Sequence, residues 1–217
     1  MPFADRRDAG RRLAAALAHL RDAAPVVLAL PRGGVPVAAE VAQALGAPLD
    51  LVLVRKIGVP GAEELAMGAV VDGAAPVVVR NDDIIAAARV TPADFDAACA
   101  RELKEIERRR ARYIGTRRRA PIAGRTVVMV DDGIATGATV RAALKAVRAR
   151  GPKRLVLATP VAPPETVDAL TADADTVVCL ETPEPFGAIG YFYDDFRQVS
   201  DAEVIDLLAR HPVPPEG

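Results

Sequence analysis

The fold is decided by the stretch from Val127 to Thr139, which reads VVMVDDGIATGAT. Its four leading apolar residues are typical of a buried strand, and two carboxylates follow where that strand ends. A loop rich in glycine and threonine then leads into a helix that we predict from Val140 to Arg150. Because α/β folds bind ligands at the carboxyl edge of a parallel sheet, this order predicts a binding site at that edge.

The acids and the loop after this strand complement the two ends of a phosphorylated sugar. Asp131 and Asp132 can accept hydrogen bonds from a sugar diol or hold a hydrated Mg²⁺ ion. Gly133 and Gly137 let the backbone turn tightly and bring its N–H groups close to a phosphate at the helix N-terminus. A simple helix-capping turn would explain one acid and one threonine, but not two acids, two glycines and two threonines together. The pattern therefore predicts a site for a ribose 5-phosphate.

This run closely resembles the phosphoribosyl diphosphate (PRPP) binding motif of type I phosphoribosyltransferases. It is neither a Walker A loop nor a dinucleotide fingerprint, because no Gly-Lys-Ser/Thr follows and the spacing is Gly-x-x-x-Gly. The resemblance implies that Asp131 and Asp132 contact the ribose hydroxyls and that the loop wraps the 5-phosphate. The direct phosphate contacts that it implies are Gly133, Ala135, Thr136, Gly137, Ala138 and Thr139.

A second strand-to-helix loop, residues 30–36, reads LPRGGVP. Arg32 brings a delocalised cation, and Gly33 and Gly34 allow a ligand to approach the backbone closely. An ordinary glycine-rich turn would explain this loop taken alone. Its position matches the pyrophosphate loop of the same family, whose members often hold a non-proline cis peptide there. The resemblance therefore implies a cis bond at Pro31-Arg32 or Arg32-Gly33.

Two cations, Arg55 and Lys56, follow the apolar run of the next predicted strand. Arginine outnumbers lysine 24 to 4 in this chain, so Lys56 stands out from the background composition. We expect Lys56, with Arg55, to contact the pyrophosphate of PRPP, the alternative being a solvated strand end. The segment Ile57–Glu64 contains two glycines, which predicts a mobile loop that could close as a lid.

The resemblance implies a Mg²⁺-dependent transfer of phosphoribosyl from PRPP to a nitrogen nucleophile on a small acceptor, with release of pyrophosphate. The catalytic residues that it implies are Asp131, Asp132, Lys56 and Arg32, and the same two aspartates are the candidate metal ligands. Two other functions stay open. One is a regulator that senses PRPP without turnover, and the other is a phosphosugar hydrolase or diphosphokinase on the same fold.

The aromatic residues gather in the segment Phe186–Phe196, which contains five of the eight in the chain. Such a cluster can form a small hydrophobic subcore, or it can belong to a hood that stacks on a planar acceptor. Purine-salvage members of the family commonly use a hood lysine to bind an exocyclic oxygen. No lysine follows Lys153 here, which disfavours hypoxanthine or guanine as the acceptor.

Strands and helices alternate along the chain, which predicts an α/β fold of the type I phosphoribosyltransferase kind, with a mainly parallel sheet flanked by helices. We expect one domain over residues 1–217, with a core at about 24–180 and a small hood at about 181–210. The predicted strands are Val26–Leu30, Leu49–Val54, Ala66–Val71, Val77–Arg80, Thr126–Val130, Leu155–Thr159 and Thr176–Leu180. The remaining predicted helices are Asp8–Arg21, Val35–Leu45, Pro92–Ile114, Pro164–Ala172 and Asp201–Arg210. A turn at residues 72–74 would join the third and fourth strands, and the tail Pro212–Gly217 should be frayed.

Composition narrows the partners, the cellular compartment and the site chemistry that we expect. The net charge of −1 gives no general attraction to nucleic acids or acidic membranes, and charges interrupt every apolar stretch before it reaches membrane length. Two cysteines and two histidines, all far apart, favour a reducing cytoplasm and provide neither a zinc site nor a histidine base.

The stretch Arg101–Arg125 holds nine arginines and one lysine, interleaved with glutamates. We predict a solvated helix face or a homodimer contact there rather than a nucleic-acid surface.

Overall fold

The computed structural model describes residues 2–73 and 76–213, and the end of the predicted frayed tail lies outside them. The strands are β1 (Val26–Ala29), β2 (Leu49–Leu51), β3 (Val54–Val59), β4 (Ala62–Val71), β5 (Val77–Arg80), β6 (Thr126–Val130), β7 (Arg154–Val161) and β8 (Thr176–Glu181). The α-helices are α1 (Arg6–Ala16), α2 (Gly34–Leu45), α3 (Asp82–Ala87), α4 (Pro92–Tyr113), α5 (Ala138–Arg148), α6 (Pro164–Leu170) and α7 (Asp201–Arg210), and 3₁₀ turns cover Ala18–Ala23 and Ile189–Phe192. None of the described helices combines the length and apolarity that a membrane span requires.

The predicted α/β fold is confirmed. Five parallel strands form the central sheet in the order β2-β1-β6-β7-β8. Side chains alternate between its faces, so that Val27 and Ala29 pack with α1, α2 and α7, whereas Val26 and Leu28 pack with α5 and α6. Because both faces are covered, these strands are apolar throughout rather than alternating with polar residues.

The strand order also fixes where a ligand can enter. From β1 the chain crosses to β2 on one side, and from β6 it crosses to β7 on the other side. The loops after β1 and β6 therefore part and leave a crevice at the carboxyl edge, the usual binding position in open α/β sheets. The two loops with predicted phosphate chemistry are the two loops that border this crevice.

The predicted strand Leu49–Val54 is wrong in its second half. β2 ends at Leu51, and Val54 begins a separate antiparallel sheet of order β3-β4-β5. The chain leaves the parallel sheet because the backbone N–H of Leu53 donates to the buried Asp72 carboxylate at 2.8 Å. As a result, Arg55 and Lys56 lie within an antiparallel strand instead of at the end of a parallel one.

The segment Ile57–Glu64, which the sequence predicts as a mobile loop, belongs to the antiparallel sheet. Residues 57–64 form the end of β3, a turn with Gly61 at φ +78°, and the start of β4. The predicted pairing of the third and fourth strands is confirmed, with Gly68–Val71 opposite Val77–Arg80. Ala74 of the predicted connecting turn lies outside the described residues. One face of this antiparallel sheet packs on α4.

The ends of α1 and α5 differ from the predicted ones for local reasons. α1 begins at Arg6 rather than Asp8, because the Asp5 side chain caps it and accepts from the Asp8 backbone N–H at 2.7 Å. It ends at Ala16, and a 3₁₀ turn continues to Ala23. α5 begins at Ala138, directly after Gly137 in the left-handed region at φ +74°.

The arginine-rich stretch divides into two kinds of contact. On α4, Arg108 and Arg109 both pair with Glu105, at 2.7 and 2.8 Å, in a charged helix face. The expectation of a solvated face or a homodimer contact stays a prediction for this part of the stretch. Further along, Arg117 turns inward and donates to the backbone carbonyl of Leu49 at 2.7 Å.

Arg119 is a structural residue in the link between α4 and β6. Its guanidinium lies between two buried carboxylates, 2.9 Å from Asp50 and 2.6 Å from Asp72. It also donates to the backbone carbonyl of Leu51 at 2.8 Å. Since Asp50 belongs to β2 and Asp72 follows β4, this one side chain ties the antiparallel sheet to the edge of the parallel sheet.

The aromatic segment, residues 186–196, packs largely on itself and on the N-terminus. Tyr193 lies between Phe3 and Phe196, with ring centroids 5.4 and 5.0 Å away. The backbone N–H of Phe3 donates to the carbonyl of Phe192 at 2.8 Å, so the first residues of the chain form part of this subcore. α7, within the predicted hood, instead packs against α2 in the main core.

Candidate functional site

Asp131 and Asp132 lie at the carboxyl end of β6, in the crevice between the loops after β1 and β6. With Arg32, Gly33 and Thr139 they line a cavity of about 370 Å³. The backbone N–H of Asp132 donates to Oδ1 of Asp131 at 2.9 Å, which fixes the first carboxylate against the turn. The structure thus brings together the two predicted acids, the arginine loop and the first turn of α5.

Burial governs the ionisation of the two acids. It raises the pKa of Asp131 well above its usual range, and the neighbouring Asp132 raises that pKa further. Burial also raises the pKa of Asp132, whereas Arg6 opposes the rise with its Nε 2.6 Å from Oδ2. A cation or a hydroxyl donor stabilises such a desolvated pair, so the site favours ligands of those two kinds.

The predicted phosphate loop, residues 133–139, is fixed on one side by hydrogen bonds to β7 and α6, and its other side is exposed. Its fixed points are the N–H of Ile134, which donates to the Val161 carbonyl at 2.9 Å, and the Ala135 carbonyl, which accepts from the Thr166 hydroxyl at 2.7 Å. Among the described residues, the backbone N–H groups of 135–137 have no hydrogen-bond partner. The exposed positions among residues 133–139 are Ala135, Thr136, Ala138 and Thr139. The loop therefore presents unused donors at the N-terminus of an eleven-residue helix, as an anion site requires.

Glycine is required at three positions around the acids because neighbouring atoms leave no room for a side chain. A Cβ on Gly33 would lie 2.0 Å from Oδ2 of Asp132, and one on Gly34 would lie 2.8 Å from the Val130 carbonyl. A Cβ on Gly133 would lie 2.4 Å from Ile189 in the aromatic segment. The sequence predicts Gly33 and Gly34 as backbone contacts for a ligand, and the structure adds that they give clearance to the acids. The implied cis peptide is found at Pro31-Arg32.

The three predicted cations occupy different places. Arg32 lines the cavity with the acids, and its Nη1 lies 3.6 Å from Asp201 at the start of α7. Lys56 lines a neighbouring cavity of about 480 Å³, which shares Thr139 with the first, and its Nζ lies 3.1 Å from Glu64. Arg55 pairs with Glu102 of α4 at 2.7 Å.

Arg6 is a site residue that the sequence does not reveal. It comes from the first turn of α1, pairs with Asp132, and donates from Nη1 to the Arg197 carbonyl at 2.7 Å. Its guanidinium lies 3.9 Å from the centroid of the Phe196 ring. Tyr193 is a second such residue, since its hydroxyl donates to the backbone carbonyl of Asp132 at 2.5 Å. The aromatic segment and α1 thus both hold the second acid of the motif.

The carboxylate pair fits one Mg²⁺ ion. Proteins usually hold Mg²⁺ with one or two carboxylates, while substrate phosphates and water complete its octahedron. Asp131 and Asp132 supply two such groups at the cavity wall. Within the described parts of the chain, no group of three or more His, Cys, Asp or Glu side chains forms a complete cage. A metal here would therefore share its coordination with a phosphate-bearing substrate.

Comparison with known proteins agrees with this geometry. A family model described as phosphoribosyl transferase domain matches residues 5–196. Two curated proteins from two strains of Mycobacterium tuberculosis, provisionally named phosphoribosyl transferases, are each 50% identical over 208 residues, covering 96% of this chain. These residues make up 46% of each relative, so the chain spans about half the length of the curated relatives it matches. The crystal structure of TT1426 from Thermus thermophilus superposes with a TM-score of 0.85 at 47% identity, covering 98% of this chain and 100% of that one.

Proposed function

Because the chain belongs to the phosphoribosyl transferase domain family, we propose that it transfers the 5-phosphoribosyl group of PRPP to a nitrogen nucleophile and releases pyrophosphate. The observation that carries this proposal is the composition of one cavity. The half-buried Asp131 and the buried Asp132, the Arg32 loop and the first turn of α5 border the same crevice at the carboxyl edge of the sheet. These are the groups that a sugar diol, a pyrophosphate and a 5-phosphate would each require.

Each part of PRPP has a counterpart in this site. The 5-phosphate binds the unused N–H groups of the phosphate loop and the hydroxyls of Thr136 and Thr139. Asp131 and Asp132 orient the ribose hydroxyls and would hold Mg²⁺. Arg32 binds the pyrophosphate together with the backbone of Gly33 and Gly34.

Lys56 and Arg55 would join the pyrophosphate once they exchange their present partners. Lys56 lines the neighbouring cavity, and its side chain pairs with Glu64, whose own side chain is fully exposed. Such an exposed pair contributes about 0 to 1 kcal/mol, so a pyrophosphate can replace Glu64 at little cost. The β3–β4 hairpin carries Lys56 and is therefore the element that would move.

The reaction places opposite charges at the two ends of the breaking bond. As pyrophosphate leaves, positive charge develops on the ribose ring, and the two aspartates would stabilise it. When bound, Mg²⁺ would act as a Lewis acid that neutralises charge on the departing group. Arg32 adds a cation on the same side, and one of the aspartates can accept the proton that the acceptor nitrogen loses.

Calorimetric titration of Mg²⁺·PRPP into the wild-type protein and an Asp131→Asn/Asp132→Asn variant tests the proposal. We expect micromolar binding, about −8 kcal/mol, in the wild type and loss of that binding in the variant. Asp206→Asn on α7 is the control, because that acid pairs with Arg210 on the surface. A folded wild-type protein that does not bind PRPP would refute the proposal.

Turnover separates the transferase from the two other functions. Pyrophosphate release that depends on an added acceptor supports transfer. PRPP binding without any release across a broad set of nitrogen bases would favour a sensor. ATP-dependent phosphorylation of ribose 5-phosphate, or acceptor-independent hydrolysis, would favour the diphosphokinase or the hydrolase.

A further inference from the structure

Arg6 occupies the side of the cavity that faces the aromatic segment. Its side chain is 11% exposed, and it lines the same cavity as Asp131, Asp132 and Phe196. The ring of Phe196 covers one face of the guanidinium at 3.9 Å, and the Arg197 carbonyl accepts from Nη1. A guanidinium held this firmly at a ligand cavity loses little freedom when it binds a further group.

The edge of Arg6 that faces Asp132 is only half used. Nε donates to Oδ2 of Asp132 at 2.6 Å, and Nη2, on the same edge of the guanidinium, has no hydrogen-bond partner among the described residues. Arg108 shows the complete arrangement, in which Nε and Nη2 both bind the Glu105 carboxylate. Arg6 therefore has the donor for one more acidic oxygen beside the second acid of the motif.

The proposed positions of PRPP leave this donor to the acceptor. The 5-phosphate belongs at residues 133–139 and the pyrophosphate at residues 31–34, whereas the Arg6 guanidinium is held by Asp132, the Arg197 carbonyl and the Phe196 ring. Ribose hydroxyls and Mg²⁺ at Asp132 would draw on the one carboxylate that balances Arg6 within the described residues. A nearly buried cation then gains from a second counter-charge, and an acidic acceptor can supply it.

We propose, on the basis of the function proposed above, that Arg6 binds the carboxylate of the acceptor and that the acceptor is a planar, nitrogen-containing aromatic acid. The wall beside Arg6 fits such a ring, because Phe196, Val199 and Leu30 are apolar and line the same cavity. In this arrangement Arg6 recognises the acceptor through the charge that a neutral nucleobase lacks. It is a specificity-determining residue that no motif of the sequence includes.

Matched pairs of ligands test this inference by equilibrium binding. Orotate and uracil share one ring and differ by a carboxylate, and nicotinate and nicotinamide differ by a carboxylate against an amide. Each is titrated into protein loaded with Mg²⁺ and ribose 5-phosphate, which cannot react with the acceptor. At least one acid should bind roughly 10- to 100-fold more tightly than its neutral partner, the scale of a charge-assisted hydrogen bond.

Variants at position 6 assign that preference to Arg6. Arg6→Met should remove the preference, and Arg6→Lys, which keeps the charge but not the fork, should retain part of it. Arg7→Met is the matched control, because Arg7 is the next residue on the same helix and pairs loosely with Glu40 at 3.7 Å. Circular dichroism of each variant confirms that it is folded.

Three results would overturn the inference. The first is equal or absent binding of every acid relative to its neutral partner, in a protein that does bind PRPP. The second is an acid preference that persists in folded Arg6→Met. The third is an equal loss of PRPP and acid affinity in that variant, which would assign Arg6 to PRPP. If the wild type does not bind PRPP, the proposed function fails first and the inference fails with it.

Discussion

Replacement of Gly33 by alanine should disable the site through a single methyl group. Gly33 has φ −58° and ψ −39°, which alanine adopts without strain, so the backbone does not require glycine. The new Cβ would nevertheless lie 2.0 Å from Oδ2 and 2.5 Å from Cγ of Asp132. An ordinary contact needs about 3.4 Å, so the carboxylate has to retreat by about 1.4 Å, an order-of-magnitude figure for a close-packed site.

That displacement has two consequences that can be measured. It separates Asp132 from Arg6, now 2.6 Å away, and moves the acid from its place beside the cavity. A misplacement of about 1 Å in a reacting geometry costs on the order of 100-fold, and we expect Gly33→Ala to weaken Mg²⁺·PRPP binding and turnover by about that factor. Overpacking of this kind should also reduce the free energy of unfolding by about 1 to 3 kcal/mol.

Calorimetry gives the affinity, and denaturant unfolding gives the stability. Gly124→Ala is the control, because Gly124 has φ +68° and a Cβ placed there would have no neighbouring atom within 4 Å. That change should cost about 1 to 2 kcal/mol of stability through backbone strain without altering PRPP affinity. A folded Gly33→Ala protein that binds Mg²⁺·PRPP like the wild type would show that Asp132 takes no part in binding, and the assignment of this crevice would be wrong.

Three further substitutions probe the site and its support. Asp132→Asn should lower turnover by about 100-fold or more, since it removes a charge next to the developing positive ring, and an undiminished rate would exclude Asp132 from the mechanism. Arg119→Met should lower the free energy of unfolding by about 3 to 5 kcal/mol, because it leaves the buried Asp72 without its cation and Asp50 with Arg117 alone at 3.8 Å, and a loss below about 1 kcal/mol in urea unfolding would contradict this. Tyr193→Phe should cost about 1 to 3 kcal/mol, because the backbone carbonyl of Asp132 then lacks the hydroxyl that donates to it, and unchanged thermal unfolding would contradict that reasoning.

The central sheet could be predicted because its information is local. Residues 126–130 are buried on both faces of a parallel sheet, and such strands appear in sequence as unbroken apolar runs. The acids and glycines after this strand indicate the loop chemistry for the same reason, since neighbours in sequence supply all of it. Of the site residues predicted from this stretch, Asp131, Asp132 and Thr139 line one cavity.

The antiparallel sheet could not be predicted in the same way. Leu49–Val54 is one apolar run, and nothing in its sequence marks Val52 and Leu53 as the point where the chain changes sheets. The change depends on Asp72, nineteen residues further on, which accepts the Leu53 backbone N–H. This long-range hydrogen bond places Lys56 on a hairpin over a neighbouring cavity, so its proposed contact with pyrophosphate requires motion of that hairpin.

The place of Arg6 in the candidate site could not be predicted from the sequence. It belongs to a helix that also carries Arg7, Arg11 and Arg12, whose side chains are 44%, 59% and 45% exposed, against 11% for Arg6. Helical periodicity separates Arg6 from these neighbours only when the packing of α1 is known, and its partner lies 126 residues away. Because the aromatic segment holds the guanidinium while Asp132 holds its Nε, a ligand on either side alters the balance of charge on the other. Acceptor and PRPP should therefore bind with positive coupling, and that coupling should disappear in Arg6→Met but persist in Arg7→Met.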